Sequence, residues 1–223
     1  MLFRSGALIN DGKGNFTFQP LPRFAQAAPG YGVVATDIDG DGLVEVVAVQ
    51  NMFTREPETG LWRGGIGVIL EYGADGAFRV EPPAETGFIV DGDAKGLTLC
   101  DLDGDNRPDF VVCQNNGKLL AWKNQGDSQP LFSVHLHGSP GNPDGIGARI
   151  IAHYADGTIH AAEMTAGNGY LSQSQPIVYF SAASTPIREL EIRWPDGETT
   201  KATPDTKSPS IEISKRLLSK TTR

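Results

Sequence analysis

Short apolar segments recur along the whole chain, and Gly, Pro, Asn and Asp residues separate them. Segments such as "YGVVAT" (31–36), "VVAVQ" (46–50) and "FVVCQ" (110–114) are short and rich in β-branched residues. Runs of this length that are bounded by turn formers are typical of β-strands, whereas helices need longer segments with a 3.6-residue period. The pattern therefore predicts an all-β protein.

Three segments have the pattern of a strand, a glycine-containing turn and a second strand that carries a phenylalanine. They are centred on the turns before Phe16, Phe78 and Phe132, the last within residues 119–134. Two further strand pairs, each closed by an acidic loop, lie between them. Two consecutive hairpins make a four-stranded antiparallel unit, the blade of a β-propeller. The order predicts about two and a half blades, with an inserted loop at 51–64 of the kind that often carries a binding surface.

An acidic nine-residue pattern occurs twice. "DIDGDGLVE" forms the first acidic loop, residues 37–45, and "DLDGDNRPD" forms the second acidic loop, residues 101–109. Both place carboxylates at loop positions 1, 3, 5 and 9, and position 6 holds Gly42 or Asn106, which tolerate a left-handed backbone. The predicted ligands of the first loop are the carboxylates of Asp37, Asp39, Asp41 and Glu45 and the carbonyl oxygen of Leu43. The predicted ligands of the second loop are the carboxylates of Asp101, Asp103, Asp105 and Asp109 and the carbonyl oxygen of Arg107.

The spacing of these carboxylates indicates a calcium site in each loop. Alternating acidic side chains can curl around a hard cation, and a ligand set made only of oxygen favours Ca²⁺ over zinc or copper. The loops are not EF-hands, because an EF-hand lies between two amphipathic helices and these loops lie between strand-like segments. The alternative is a pair of acidic turns with solvated aspartates, which the matching positions of two copies make less favourable.

Composition and charge narrow the possible partners. The chain of 223 residues has a formal net charge of −8, with 39% hydrophobic residues, 27 Gly and 15 Pro. The two acidic loops hold eight carboxylates, so two bound Ca²⁺ would bring the net charge to −4. The negative charge argues against a nucleic-acid partner. No apolar run approaches the roughly 18 residues that a membrane span requires.

The strand pairs with acidic loops resemble FG-GAP (VCBS-type) repeats, the calcium-binding propeller blades also found in integrin-type proteins. This resemblance covers residues 1–135. Residues 140–214 are similar to the ASPIC/UnbV domain, which commonly follows FG-GAP repeats in the cartilage acidic protein-like family, and residues 215–223 form a tail. The matching pieces are "GIGAR" (145–149), "GNGYLSQ" (167–173) and "RWPDG" (193–197). One departure is "FSAAS" (180–184), where the family usually has a Phe-Gly-Leu-Gly turn.

The resemblance implies a partial β-propeller followed by a small β-sandwich or barrel-like domain. Together with the acidic loops, it predicts a calcium-stabilised binding, adhesion or scaffold module that is exported to the periplasm, cell surface or medium, with a protein or glycan partner. No catalytic residues are carried over from the family, and no Ser/His/Asp or Cys/His constellation is evident, so we expect no enzyme. The alternatives are a lectin propeller and an accessory domain of a carbohydrate-active enzyme.

The number of predicted blades leads to a further expectation. Propellers close with four to eight blades, and two and a half blades cannot close a ring. We therefore expect these residues to be the C-terminal part of a longer protein, with further blades and an export signal upstream.

Overall fold

The fold of the chain is all-β. The computed structural model describes residues 4–54, 58, 60–73, 75–126, 131–182, 185–205 and 208–215. Within these ranges the helical structure is limited to α1 (Pro83–Thr86) and a 3-10 turn at Arg23–Gln26. No helix in this part of the chain is long and apolar enough to cross a membrane. The predicted tail lies outside the described residues except for Lys215, and so do two residues of the "FSAAS" segment.

The N-terminal region consists of antiparallel sheets that follow each other along the chain. Its strands are β1 (Gly6–Asn10), β2 (Phe16–Pro20), β3 (Gly30–Thr36), β4 (Glu45–Gln50), β5 (Val68–Tyr72), β6 (Phe78–Val80), β7 (Ala94–Cys100), β8 (Asp109–Gln114) and β9 (Leu120–Trp122). β1 and β2 form a hairpin, β3 to β6 form a complete four-stranded blade, and β7 to β9 form a three-stranded sheet. The predicted partial propeller is therefore confirmed.

The acidic loops are the turns of the β3–β4 and β7–β8 hairpins. Thr36 pairs with Glu45 at the base of the first loop, and Cys100 pairs with Asp109 at the base of the second. The last carboxylate of each predicted ligand set is thus the first residue of the returning strand. The register places both loops at the same end of their sheets.

The C-terminal region is a two-layer sandwich. Its strands are β10 (Leu131–His137), β11 (Arg149–Tyr154), β12 (Ile159–Glu163), β13 (Ile177–Ser181), β14 (Ile187–Arg193), β15 (Thr199–Ala202) and β16 (Ser210–Ser214). One sheet has the order β13-β10-β16 and the other has the order β12-β11-β14-β15. Fully buried Ile150, Leu190 and Ile192 lie in the core between them, and Trp194 closes it with its indole N–H donated to the Thr200 hydroxyl at 2.8 Å.

The third predicted turn hairpin does not form, and that prediction is wrong. Among the described strands, β9 pairs with β8 alone, whereas β10 pairs antiparallel with β13 and parallel with β16. The turn that would join β9 to β10 includes residues 127–130, which lie outside the described residues. Phe132, predicted to anchor a blade, lies in the core of the C-terminal sandwich. β10 also crosses the predicted domain boundary at residue 135.

The β13-β10-β16 sheet is a wall that the two regions share. Because side chains alternate across a strand, β10 and β13 present one face to the sandwich core and the other to the propeller sheets. Phe132, Val134 and Phe180 face the sandwich core, whereas Leu131 and Tyr179 belong to the core around β7 and β8. β10 is therefore a central strand buried on both sides, which explains why it is not available to complete a blade.

A buried polar network joins the two blades at the end opposite the acidic loops. Asn51 is fully buried with a left-handed backbone (φ 93°). Its side-chain amide donates to the carbonyl oxygens of Gly65 (2.8 Å) and Gly92 (2.9 Å) and accepts from the Gly65 N–H (2.8 Å). The Lys95 ammonium donates to the Asn51 carbonyl oxygen (2.6 Å) and lies 3.5 Å from the centre of the Tyr31 ring. This network fixes the chain between β4 and β7.

Replacement of Asn51 tests the importance of this network. Asn51→Ala leaves buried peptide groups without partners, at about 1–3 kcal/mol each, so we expect a loss of roughly 3 kcal/mol in the free energy of unfolding measured in urea. Asn116→Ala is the matched control, because Asn116 is also left-handed (φ 52°) but exposed. It should lose about 1 kcal/mol. Equal losses in the two variants would show that backbone strain, not the network, is the important factor.

Candidate metal-binding loops

The first acidic loop is folded around the carboxylate of Asp37. This side chain accepts hydrogen bonds from the Gly40 N–H (2.6 Å) and the Gly42 N–H (3.0 Å). Asp39 and Asp41 cap the backbone two residues further on, in the manner of Asx turns. Gly42 has a left-handed backbone (φ 93°), as the pattern predicted for position 6. Carboxylate oxygens of the three aspartates lie within 4.8 Å of one another.

Two of the four carboxylates of the first loop are buried, and no described side chain supplies them with a compensating charge, whereas Asp39 and Asp41 are exposed. Asp37 is 7% exposed and Glu45 is 6% exposed, and Glu45 accepts a hydrogen bond from the Ile38 N–H at 2.7 Å. Among the described residues, none of Asp37, Asp39, Asp41 and Glu45 takes part in an ion pair. Burial raises the pKa of Asp37 to about 6 and that of Glu45 to about 8, and the neighbouring aspartates add to both increases. The site therefore favours the uptake of positive charge.

The second acidic loop repeats the same backbone geometry. Asp101 accepts hydrogen bonds from the N–H groups of Gly104 (2.8 Å) and Asn106 (3.0 Å). Asn106 is left-handed (φ 63°), and the fully buried Asp109 accepts from the Leu102 N–H at 2.8 Å. Carboxylate oxygens of Asp101, Asp103 and Asp109 lie within 4.8 Å of one another. Both loops thus bring three of their four predicted carboxylates together.

The two loops differ in their charge environment, which the sequence pattern did not predict. The Arg107 guanidinium donates to Asp105 at 2.9 and 3.1 Å, and Lys123, from the end of β9, forms ion pairs with Asp103 and Asp105. The hydrogen bond from Arg107 lowers the pKa of the Asp105 carboxyl. The second loop is therefore partly neutralised by its own side chains. Asp105 is directed to these cations and does not join the cluster of the other three aspartates.

The donor set of the first loop fits a hard divalent cation better than that of the second. Carboxylate oxygens suit Ca²⁺, and in the described part of the chain no side-chain cation would have to be displaced from the first loop. The predicted contributions of the Leu43 and Arg107 carbonyl oxygens stay predictions. What the structure adds is the N–H group of each residue, which donates to the carboxylate at loop position 5 (2.7 and 3.0 Å) and so shapes the turn.

A third cluster was not foreseen. His153 pairs with Glu189 across β11 and β14, and Glu191 lies two residues further along the same face. One ligand atom from each lies within 4.8 Å of the others. Both carboxylates already bind a cation: Lys201 lies 2.7 Å from Glu189 and Arg193 lies 2.6 Å from Glu191. Only the strand register joins these residues, so no local sequence pattern marks the cluster.

The "GNGYLSQ" motif lies against the edge of β7. The Ser172 hydroxyl donates to the Leu97 carbonyl oxygen (2.8 Å), and the Ser174 hydroxyl accepts from the Leu99 N–H (3.0 Å). The Thr98 hydroxyl donates to the Gln173 carbonyl oxygen at 2.7 Å. The polar residues of the motif therefore bind the propeller region of the same chain.

Comparisons with known families agree with this architecture. Residues 138–215 match the family described as ASPIC and UnbV, and residues 5–48 match the FG-GAP-like repeat. The FG-GAP match includes the first acidic loop. The chain therefore combines FG-GAP-like repeat structure with an ASPIC/UnbV region that follows it, and the predicted resemblance is confirmed.

Curated relatives extend the similarity across most of the chain. Cartilage acidic protein 1 from Mus musculus is 25% identical over 196 residues, and the one from Homo sapiens is 22% identical over 190 residues. Each alignment covers 84% of this chain. The chain spans 29% of the length of the mouse protein and 28% of the human protein.

The buried carboxylates predict an unusual pH dependence without calcium. Between about pH 4.5 and pH 8 the folded protein retains protons that the unfolded chain has lost, because folding raises the pKa of Glu45 and Asp37. Stability in EDTA should therefore fall as the pH rises through this window, and thermal melts across it measure the effect. Glu45→Gln should remove most of the slope. A melting temperature that rises through the window in the wild-type protein would contradict the predicted burial of these groups.

Proposed function

We propose that the chain is a calcium-stabilised binding or scaffold module that works outside the cytoplasm and has no catalytic activity. The observation that carries the proposal is the first acidic loop, where carboxylate oxygens of the buried Asp37 and the exposed Asp39 and Asp41 lie within 4.8 Å of one another. Glu45 is buried at the base of the same loop, and none of the four carboxylates forms an ion pair among the described residues. Asp37, Asp39, Asp41 and Glu45 would hold Ca²⁺ there. Asp101, Asp103 and Asp109 would hold a second, more weakly bound ion, because Arg107 and Lys123 already reduce the charge of that loop.

The proposed location follows from the expected affinity. Surface loops whose ligands are protein oxygens and which have no helical clamp bind calcium at about 10⁻⁴–10⁻³ M, the range of extracellular modules. Cytosolic calcium would leave such loops empty. The similarity to cartilage acidic protein 1 and to FG-GAP-like repeats supports the same location.

The absence of catalysis is proposed from the way the polar residues are used. Ser172 and Ser174 form hydrogen bonds to the backbone of β7, and Thr98 of β7 donates to the backbone of the "GNGYLSQ" motif. The carboxylates of the acidic loops organise their own turns. We therefore assign the chain a binding role, in which calcium stabilises the packing of the propeller region against the sandwich.

Calcium is expected to raise the melting temperature by several degrees relative to EDTA. For a dissociation constant of about 10⁻⁴ M, about 1 mM Ca²⁺ adds roughly 1.4 kcal/mol of stability per site. Titration calorimetry should show two sites of different affinity. Identical melts in calcium and EDTA, with no heat of binding, would rule out the proposal.

Single substitutions separate chelation from general acidity. Asp37→Asn should remove the tighter site and most of the calcium-dependent shift, whereas Asp101→Asn should remove the weaker site and a smaller part of it. Asp156→Asn is the control, because Asp156 caps the Thr158 N–H (2.9 Å) in an ordinary turn. Its calcium-dependent shift should equal that of the wild-type protein. The same behaviour in all three variants would identify the loops as acidic turns.

A carbohydrate-binding role is the second candidate, and the inserted loop at 51–64 favours it. Trp62 and Phe53 are 48% and 37% exposed, and an isolated bridge between Met52 and Trp62 holds the described part of the loop together. The Arg63 guanidinium lies over the Phe53 ring, 5.3 Å from its centre. Exposed aromatic rings with a polar edge are suited to binding sites.

A glycan array tests this second candidate directly. Binding to a defined set of glycans that Trp62→Ala abolishes would support a lectin role. Phe24→Ala is a suitable control, because Phe24 is also an exposed aromatic residue and lies on the 3-10 turn outside the inserted loop. No glycan binding in the presence of calcium would leave the scaffold role as the function of this chain.

A further inference from the structure

A side chain of the C-terminal sandwich binds the backbone of the first acidic loop. The Ser181 hydroxyl donates to the Gly40 carbonyl oxygen at 2.5 Å in a buried contact. On the other side of the same residue, the Gly40 N–H donates to Asp37 at 2.6 Å. Gly40 is left-handed (φ 82°), so its peptide orientation determines where the Asp37 carboxylate is held. Ser181 and a predicted metal ligand therefore fix the same glycine.

Ser181 is itself well fixed. It is the last residue of β13, is 7% exposed and pairs with Leu131 of β10. Its carbonyl oxygen accepts a hydrogen bond from the Tyr154 hydroxyl at 2.9 Å. Tyr154 belongs to β11, so both layers of the sandwich contribute to the position of Ser181. A rigid element is thus in direct contact with a loop whose shape decides its affinity for a cation.

The second acidic loop is attached in a different way. The Ser133 hydroxyl donates to the side-chain oxygen of Asn106 at 2.8 Å, and the Gln175 side chain accepts from the Asp101 N–H at 2.9 Å. Neither of these two hydrogen bonds is accepted by a backbone carbonyl oxygen of the second acidic loop. Only in the first loop, among the described residues, does the sandwich bind a backbone carbonyl that lies between two predicted ligands, here Asp39 and Asp41.

We propose that Ser181 is a positioning residue for the first acidic loop, so that calcium binding there and docking of the C-terminal sandwich strengthen each other. The inference rests on the proposed calcium binding of this loop. A preformed Gly40 peptide lowers the cost of arranging the carboxylates around an ion. Linkage then requires the reverse: an ion that fixes the loop must stabilise the Ser181 contact by the same factor.

The test is calcium titration of the full chain and its variants by calorimetry. Loss of one neutral hydrogen bond in Ser181→Ala should weaken the tighter site about three- to tenfold. Ser181→Thr keeps the hydroxyl on a strand residue and should restore the affinity to within about twofold of wild type. Ser172→Ala is the matched control, because it removes another serine bond between the two regions, to Leu97, away from both loops. Its calcium affinity should be unchanged.

Hydrogen exchange measures the reverse effect. Calcium should increase the protection of β10 and β13 amides in the wild-type protein, and the increase should be clearly smaller in Ser181→Ala. Wild-type protein that binds no calcium would overturn the proposed function itself. Normal calcium binding that Ser181→Ala leaves unchanged would overturn only the role of Ser181. An equal loss of affinity in Ser172→Ala would show that general weakening of the interface is responsible.

Discussion

The burial of both Asp37 and Glu45 in one loop, without an ion pair to either among the described residues, is the constraint on which the rest of this structure depends. Hydrogen bonds from the N–H groups of Gly40, Gly42 and Ile38 offset part of the desolvation, but burial still raises the pKa of both carboxyls. A buried charge is stable only when it is paired, protonated or bound to a metal. The hairpin therefore needs an ion or protons to reach its full stability, which makes the first acidic loop sensitive to its surroundings.

The shared β13-β10-β16 sheet connects the first acidic loop to the rest of the fold, so the dependence of the loop on protons or an ion affects more than the loop itself. β10 and β13 bury apolar side chains on one face in the sandwich core and on the other face in the propeller core. The same strands carry Ser133 and Ser181, which bind the two acidic loops. A shift of the loops therefore acts on a sheet that is packed on both sides and has little freedom to relax. The propeller region and the sandwich therefore share one sheet and are not two independent domains joined by a linker.

Local chemistry made most of the fold predictable from sequence. The acidic spacing predicted both hairpin turns, and the left-handed residues Gly42 and Asn106 stand where the pattern requires them. The pairing of β10 with β13 and β16 was not predictable in this way. A strand that is buried on both faces has no amphipathic period, and the partner strands lie about 45 and 80 residues further along the chain. The same limit applies to Lys123 and Ser181, which reach the loops only through tertiary packing. Sequence patterns identify residues that are close along the chain, whereas charge compensation depends on residues that come close only in the folded structure.

The repulsion between neighbouring carboxylates is offset differently in the two acidic loops. In the second, Arg107 and Lys123 bring positive charge to Asp105 and Asp103, so part of the repulsion is relieved within the chain and does not depend on the ion concentration. In the first, no described side chain supplies a positive charge, so we expect the compensation to come from protons or a cation taken up from solution. A side-chain cation carries one charge on a flexible stem, whereas a calcium ion carries two and can contact every carboxylate at once. The first loop, whose Gly40 carbonyl oxygen accepts a hydrogen bond from the Ser181 hydroxyl of the sandwich, is therefore the one whose geometry we expect to depend more on a bound cation. The second loop, with its own cations, is expected to be the more constant attachment.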